Sequence, residues 1–119
     1  MYTGIPHEVS KPWGKETWLA NNEEENYCSK ILHIDANEKT SMHFHVEKHE
    51  TFYVWQGTLI VQLLDTKTCN VECVTVEKGQ TLEIDRLKPH QLKAHHGDVI
   101  LIETSTYHRD SDSYRVWMK

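Results

Sequence analysis

The chain predicts an all-β protein, a single-domain antiparallel jelly-roll β-barrel. Apolar residues alternate with polar ones over many short runs, and a period of two is a strand period. Turn-forming clusters separate these runs at regular spacing, and no stretch carries the apolar period of an amphipathic helix. A length of 119 residues suits one domain with one core, large enough to fold without disulfide or zinc staples.

Residues 1–26 hold no sustained period and are expected to form an N-terminal arm. Within it Lys11-Pro12-Trp13-Gly14 is a turn around one large aromatic, residues 16–20 form a short strand, and residues 21–26 are a polar, acidic loop. Trp13 and Trp18 are expected to cover an open end of the barrel. The barrel itself is assigned to residues 27–106. Its first strand starts at Tyr27 and places Cys28, Lys30, Leu32 and Ile34 on one face, with Ile31 and His33 on the other. Lys30 therefore sits among apolar neighbours, either snorkelling at a strand edge or projecting into a pocket as a cation. His33 is read as a surface histidine. Residues 35–38 are a turn, residues 40–45 a strand, and residues 51–64 a long run broken at Gln56-Gly57. A polar hairpin connection at 65–70 leads to a strand at 71–76 and a turn at 77–80. Strands at 81–84, 90–94 and 99–103 complete the barrel, with solvated His95 and His96 in the last turn. Residues 107–119 form a C-terminal extension on or near the barrel.

One stretch concentrates the chemistry. His43 and His45 are two apart, so on a strand both imidazoles leave from one face. Glu50 follows a short charged bend at the head of the run ETFYVW, and Lys88-Pro89-His90 supplies a third histidine. Three imidazoles and one carboxylate suit a single divalent transition metal: manganese, iron, nickel, cobalt or zinc. No cysteine is among them, so a closed structural zinc site is not expected, and open coordination positions would admit a substrate. Glu47 and His49 compete for the carboxylate's place. Glu50 is preferred because Glu50, Phe52 and Val54 share a strand face, which sets the ligand above two core residues. The plainer alternative is a barrel whose histidines hold no metal.

The spacing of His43, His45, Glu50 and Gly57 resembles the first motif of the cupins, small metal-binding β-barrels. That motif normally has glycine six residues before its first histidine. Here the position is Asn37, the next best residue for a left-handed turn. Counting the second cupin motif from Gly79 puts His90 at the histidine, with Asp85, Leu87 and Ala94 where proline, glycine and asparagine usually stand. The resemblance covers roughly residues 27–106. Two flanking stretches resemble sugar-handling cupins, above all the cupin domain of type II mannose-6-phosphate isomerases: the Lys-Pro-Trp-Gly lead-in, and the tail pattern of Glu103, Thr106, Asp112 and Arg115. A plainer view of the tail is an exposed segment whose Asp110 and Asp112 pair with Arg109 and Arg115.

The resemblance implies aldose–ketose isomerisation of a sugar or sugar phosphate through a metal-stabilised enediolate. Glu103, a carboxylate ending an otherwise apolar strand, is the first candidate for the base and His108 the second. Lys30 and Arg115 are candidates for binding a phosphate or carboxylate, and Tyr53 for a further substrate contact. Two other classes stay open. One is a metal-dependent dioxygenase or a small-acid lyase, the latter with Tyr53 or Tyr107 as base. The other is a non-enzymatic sugar-binding module.

The net charge of −5 is spread in short mixed clusters with no basic stripe, which argues against nucleic acid as a partner. No apolar run reaches membrane-spanning length, and the N-terminal residues lack a hydrophobic signal core. Cys28, Cys69 and Cys73 read as reduced thiols in a cytoplasmic protein, with a Cys69–Cys73 contact as a minor alternative. A homodimer formed by pairing of edge strands is expected.

Overall fold

The structure, a computed structural model, describes residues 1–117. Eleven strands and a single 3-10 turn are laid out in order: β1 (His7–Lys11), β2 (Gly14–Asn22), β3 (Tyr27–Ile34), β4 (Met42–Phe44), β5 (Glu50–Gln56), β6 (Leu59–Leu64), β7 (Val71–Val76), β8 (Thr81–Ile84), β9 (His90–Ala94), β10 (Val99–Ser105), the turn Asp110–Asp112, and β11 (Tyr114–Trp117). They build two antiparallel sheets facing each other. One runs β1-β2-β3-β10-β5-β8, and the other β11-β4-β9-β6-β7. From β3 to β6, and again from β7 to β11, successive strands alternate between the sheets, as in a jelly roll.

Period-two patterning explains the packing. On β3 the residues Cys28, Lys30, Leu32 and Ile34 are all buried, as the alternation requires, while Ile31 and His33 face outward. Phe52 and Val54 on β5, Leu59 and Val61 on β6, Leu92 and Ala94 on β9, and Val99 and Leu101 on β10 meet between the sheets. This core fills one end of the sandwich, and the other end stays open and polar. At the closed end, Gly57 turns β5 into β6 at φ +87°. A Cβ there would lie 2.4 Å from the Asp98 carbonyl oxygen, so only glycine fits.

The N-terminal segment departs from the sequence reading. Instead of one short strand at 16–20 there are two long strands. β1 pairs with β2, and β2 pairs with β3 from Gly14↔Ile34 to Asn22↔Tyr27. Mixed burial of β2, with partly exposed residues throughout, hides the alternation from a sequence reader. The expected strand at 40–45 is shorter, Met42–Phe44, leaving His45 just past its end. In the C-terminal segment the turn and β11 fold back, and β11 pairs with β4. Met118 and Lys119, the last residues of the expected extension, lie outside the described residues.

Candidate metal centre

His43, His45 and His90 come together at the open end of the sandwich. Register does this directly: His43 on β4 sits opposite His90 on β9. His45 leaves the same face two residues later. One nitrogen from each ring lies within 4.8 Å of the others. Glu50 heads β5 and reaches across from the opposite sheet. Its Oε1 is 3.2 Å from His90 Nε2, and its Oε2 is 3.6 Å from His45 Nε2.

What the rings do with their other nitrogen fixes the chemistry. Nδ1 of His43 is 2.9 Å from the Ser41 carbonyl oxygen, Nδ1 of His45 is 2.9 Å from that of Asp112, and Nδ1 of His90 is 2.9 Å from that of Lys88. A carbonyl oxygen only accepts, so each ring carries its hydrogen on Nδ1 and presents a bare lone pair at Nε2. Three lone pairs and a carboxylate then face one another. Among the described residues His90 Nε2 and Glu50 Oε2 are buried with no hydrogen-bond partner. Buried acceptors aimed at one point are costly unless a cation lies between them. Ligand bonds of roughly 2.1 Å put neighbouring donors about 3 Å apart, near the 3.2 and 3.6 Å that separate the Glu50 oxygens from His90 and His45. The donor set therefore fits a divalent ion, and the carbonyl bonds are the usual device for aiming ligating imidazoles.

Burial favours the neutral form of His43 and His45. It pushes His43 down to about 3, helped by the neighbouring His90 and His45. His45 is also lowered, chiefly by burial. For Glu50 burial opposes ionisation, yet the adjacent Lys48 ammonium and the histidines hold its carboxyl well below the usual range. Neutral imidazoles and an ionised carboxylate are the forms that ligate.

The competitors for the carboxylate's place turn away. Glu47 is exposed, with an oxygen 3.5 Å from Arg109 Nε. His49 Nε2 lies 2.7 Å from Glu83.

The centre opens into a cavity of about 900 Å³. Glu103 lines it, buried at the end of β10, where Ser105 Oγ and Lys48 Nζ both donate to its Oε2 at 3.0 Å. His108 also lines it, its Nδ1 3.2 Å from Lys48 Nζ and its Nε2 2.9 Å from Asp110. Burial, then Lys48 and Lys30, lower its pKa. Lys30 projects into the cavity wall rather than snorkelling: its Nζ is 3.2 Å from Glu16 Oε1 and 4.2 Å from the centre of the Trp18 ring. Arg115 lines the mouth, opposite His43 in the β11–β4 register.

Tyr53 is a correction. It follows Phe52 on β5, so it points out of the sandwich, next to Trp55, and does not line the cavity. The alternation that buries Glu50, Phe52 and Val54 excludes it. Tyr107 also stays outside, under the Arg109 guanidinium. Of the two tryptophans expected to cap the open end, Trp13 lines the cavity and Trp18 lies edge-on to His108.

Two residues in this region make contacts that the sequence did not announce. Lys48 is buried, 3.0 Å from Glu103 and 3.4 Å from Glu50, which hold its ammonium above the usual lysine range against the opposing effect of burial. Its even-numbered spacing from Glu50 was the available signal. Asp112, expected as part of the tail pattern or as a partner of an arginine, is buried and accepts hydrogen bonds from the backbone N–H groups of Val46, Glu47 and Lys48. No local pattern announces that contact.

No family model matches the chain, and no curated protein matches it in sequence. Solved structures do match in shape. Capsular polysaccharide assembling protein CapF from Staphylococcus aureus superposes with a TM-score of 0.84 at 15% identity, over 98% of this chain and 35% of that one. Oxalate decarboxylase from Bacillus subtilis gives a TM-score of 0.81 at 15% identity, over 93% of this chain and 30% of that one. The chain thus spans about a third of each of these neighbours. Its two-sheet all-β architecture and these cupin-fold neighbours identify it as a protein of the cupin jelly-roll fold.

Proposed function

We propose that this is a metal-dependent cupin that isomerises a small, polyhydroxylated, anionic substrate, a sugar or sugar phosphate. His43, His45, Glu50 and His90 would hold one manganese, iron, nickel, cobalt or zinc ion. When bound, the ion supplies Lewis-acid polarisation of a substrate carbonyl and hydroxyl pair. The carrying observation is the charge of the cavity wall. Lys11, Lys30, Lys39, Lys48 and Arg115 line it together with Glu16, Glu50, Glu103 and Asp110, in a chain of net charge −5. Such a wall suits hydroxyls and an anionic group, and it disfavours the apolar phenols or diketones of an oxygen-using relative.

In this reading Glu103 takes a proton from one substrate carbon and returns it to the neighbouring one. Lys48 and Ser105 fix the carboxylate oxygen that does not react. His108 moves the accompanying hydroxyl proton. Lys30 and Arg115 bind the anionic group, with Lys11 and Lys39 nearer the rim. A small-acid lyase with Tyr53 or Tyr107 as its base loses those two candidates, which lie outside the cavity, and would have to use Tyr114, which lines it. The reading also carries a cytoplasmic setting, consistent with three free cysteines, and a homodimer across one of the sheet edges β1, β7, β8 or β11.

The test is Glu103→Gln assayed on a panel of aldose and ketose phosphates. We expect turnover to fall at least about 10²-fold with metal content unchanged. Undiminished turnover removes Glu103 from the role. Oxygen consumption on a non-sugar substrate overturns the isomerase reading.

A further inference from the structure

We propose that Asp112 is a positioning residue for the metal centre, and that the C-terminal turn docks as part of that centre. The proposal rests on the metal reading above and extends it to a segment outside the ligand strands.

The connection between β4 and β5 bears one of the proposed ligands at each end, His45 and Glu50; Leu87 and Thr106 hold its ends at the His45 and His49 carbonyl oxygens, and among the described residues its middle, 46–48, joins no strand ladder. Asp112 supplies what a partner would. Its Oδ1 accepts from the N–H groups of Val46 at 2.9 Å and Glu47 at 3.1 Å. Its Oδ2 accepts from Glu47 at 3.2 Å and Lys48 at 3.0 Å. The carbonyl oxygen of the same residue accepts the Nδ1–H of His45 at 2.9 Å. One side chain therefore fixes the chain between two ligands, while the backbone of the same residue sets the ring orientation and tautomer of one of them. At 5% exposure the carboxylate is shut away from water, so nothing else can take over these bonds.

The grip is reciprocal. With its backbone held, Lys48 sends its ammonium inward to Glu103 and to His108 Nδ1, the latter just before the turn. The turn is anchored from the other sheet, where the Asn21 side chain accepts from His108 N at 2.8 Å and donates to His108 O at 3.0 Å. Beyond the turn, β11 carries Tyr114 and Arg115 to the cavity mouth. Docking of the turn, aim of His45 and shape of the mouth are thus one mechanical unit. If docking favours metal, metal must favour docking by the same factor.

The experiment compares the full-length wild type with Asp112→Asn and Asp112→Ala, and with Val74→Ala on β7 as a distant destabilised control. Each protein is titrated with Mn²⁺ and then Ni²⁺ by calorimetry. The metal-free proteins are followed by amide hydrogen exchange at residues 46–48 and by the ¹⁵N tautomer signature of His45. We expect Asp112→Ala to weaken metal binding roughly 10–100-fold. Asp112→Asn, which keeps one acceptor oxygen but turns an NH₂ toward a backbone N–H, should lie between it and the wild type. Exchange should quicken at residues 46–48, the single Nδ1–H tautomer of His45 should be lost, and Val74→Ala should bind as the wild type. Should Asp112→Ala fail to fold, the near-isosteric Asn variant gives the same reading. Wild-type affinity in a folded variant overturns the proposal, and so do unchanged exchange and tautomer. A wild type that binds no ion overturns the metal reading, while the clamp on His45 is judged by the metal-free measurements alone.

Discussion

Each of the three clustered histidines, His43, His45 and His90, spends one nitrogen on a carbonyl oxygen and leaves the other facing its neighbours. That arrangement makes the protein sensitive to acid. His43 is pushed down to about 3 by burial and by the nearby rings, and His45 and His108 are lowered as well. In the unfolded chain these histidines bind protons below about pH 6.5, whereas in the folded one they refuse them. Stability is therefore intact above that pH and is lost as the pH falls from there toward 3. Each histidine kept neutral contributes a slope of about 1.4 kcal/mol per pH unit. Glu50, whose folded pKa is lowered, adds to the loss once the unfolded carboxyl begins to protonate, below about pH 4.5. Urea unfolding of the metal-free protein at pH 7, 6 and 5 should show a midpoint falling with increasing steepness, and His43→Asn should flatten the slope by about one proton. A midpoint independent of pH across this range contradicts the neutral-imidazole description.

Turns decide how the elements meet, and two of them connect sequence to backbone directly. Asn37 holds φ at +67°, the left-handed conformation expected where the cupin motif places glycine. Leu87 holds φ at +69° at the glycine position of the second motif, and it is exposed. A left-handed leucine stores roughly 1–2 kcal/mol of strain. The structure tolerates it because the Leu87 N–H donates to the His45 carbonyl oxygen at 2.7 Å, bracing the ligand from below. Leu87→Gly should therefore raise the unfolding midpoint, by about 1 kcal/mol once the added entropy of the unfolded chain is subtracted. Unchanged or lowered stability would mean the strain is absent. Strands β3, β5 and β10 were legible because their alternation is clean, and β7 to β9 because their punctuation is strong. β1 and β2 were not, because a partly exposed edge pair carries little alternation, and pairing with β3 rather than local propensity holds it in place.

Over the whole molecule, the jelly roll brings β4 and the head of β5, neighbours in sequence but in opposite sheets, together with the distant β9 at one open end. The HxH pair and Glu50 announce themselves by spacing. His90 needs only the register of β4 against β9 to join them. Lys30, Glu103 and His108 were legible as polar groups at the barrel's inner face or its end, and the cavity gathers them. Tyr53, out of step with Glu50, Phe52 and Val54 on β5, stays outside the cavity. Asp112 stands in the tail pattern, but its contact with residues 46–48 was not legible, because those partners are more than sixty residues away in sequence and only the closed fold creates the contact. The central claim, a metal centre formed by His43, His45, Glu50 and His90, is tested most directly by elemental analysis. Protein purified without chelator and reloaded with divalent metal should be measured beside His90→Ala. About one transition-metal ion per chain in the wild type, absent from a folded His90→Ala, is the predicted result. No metal in either protein after reloading, or equal metal in both, would contradict it.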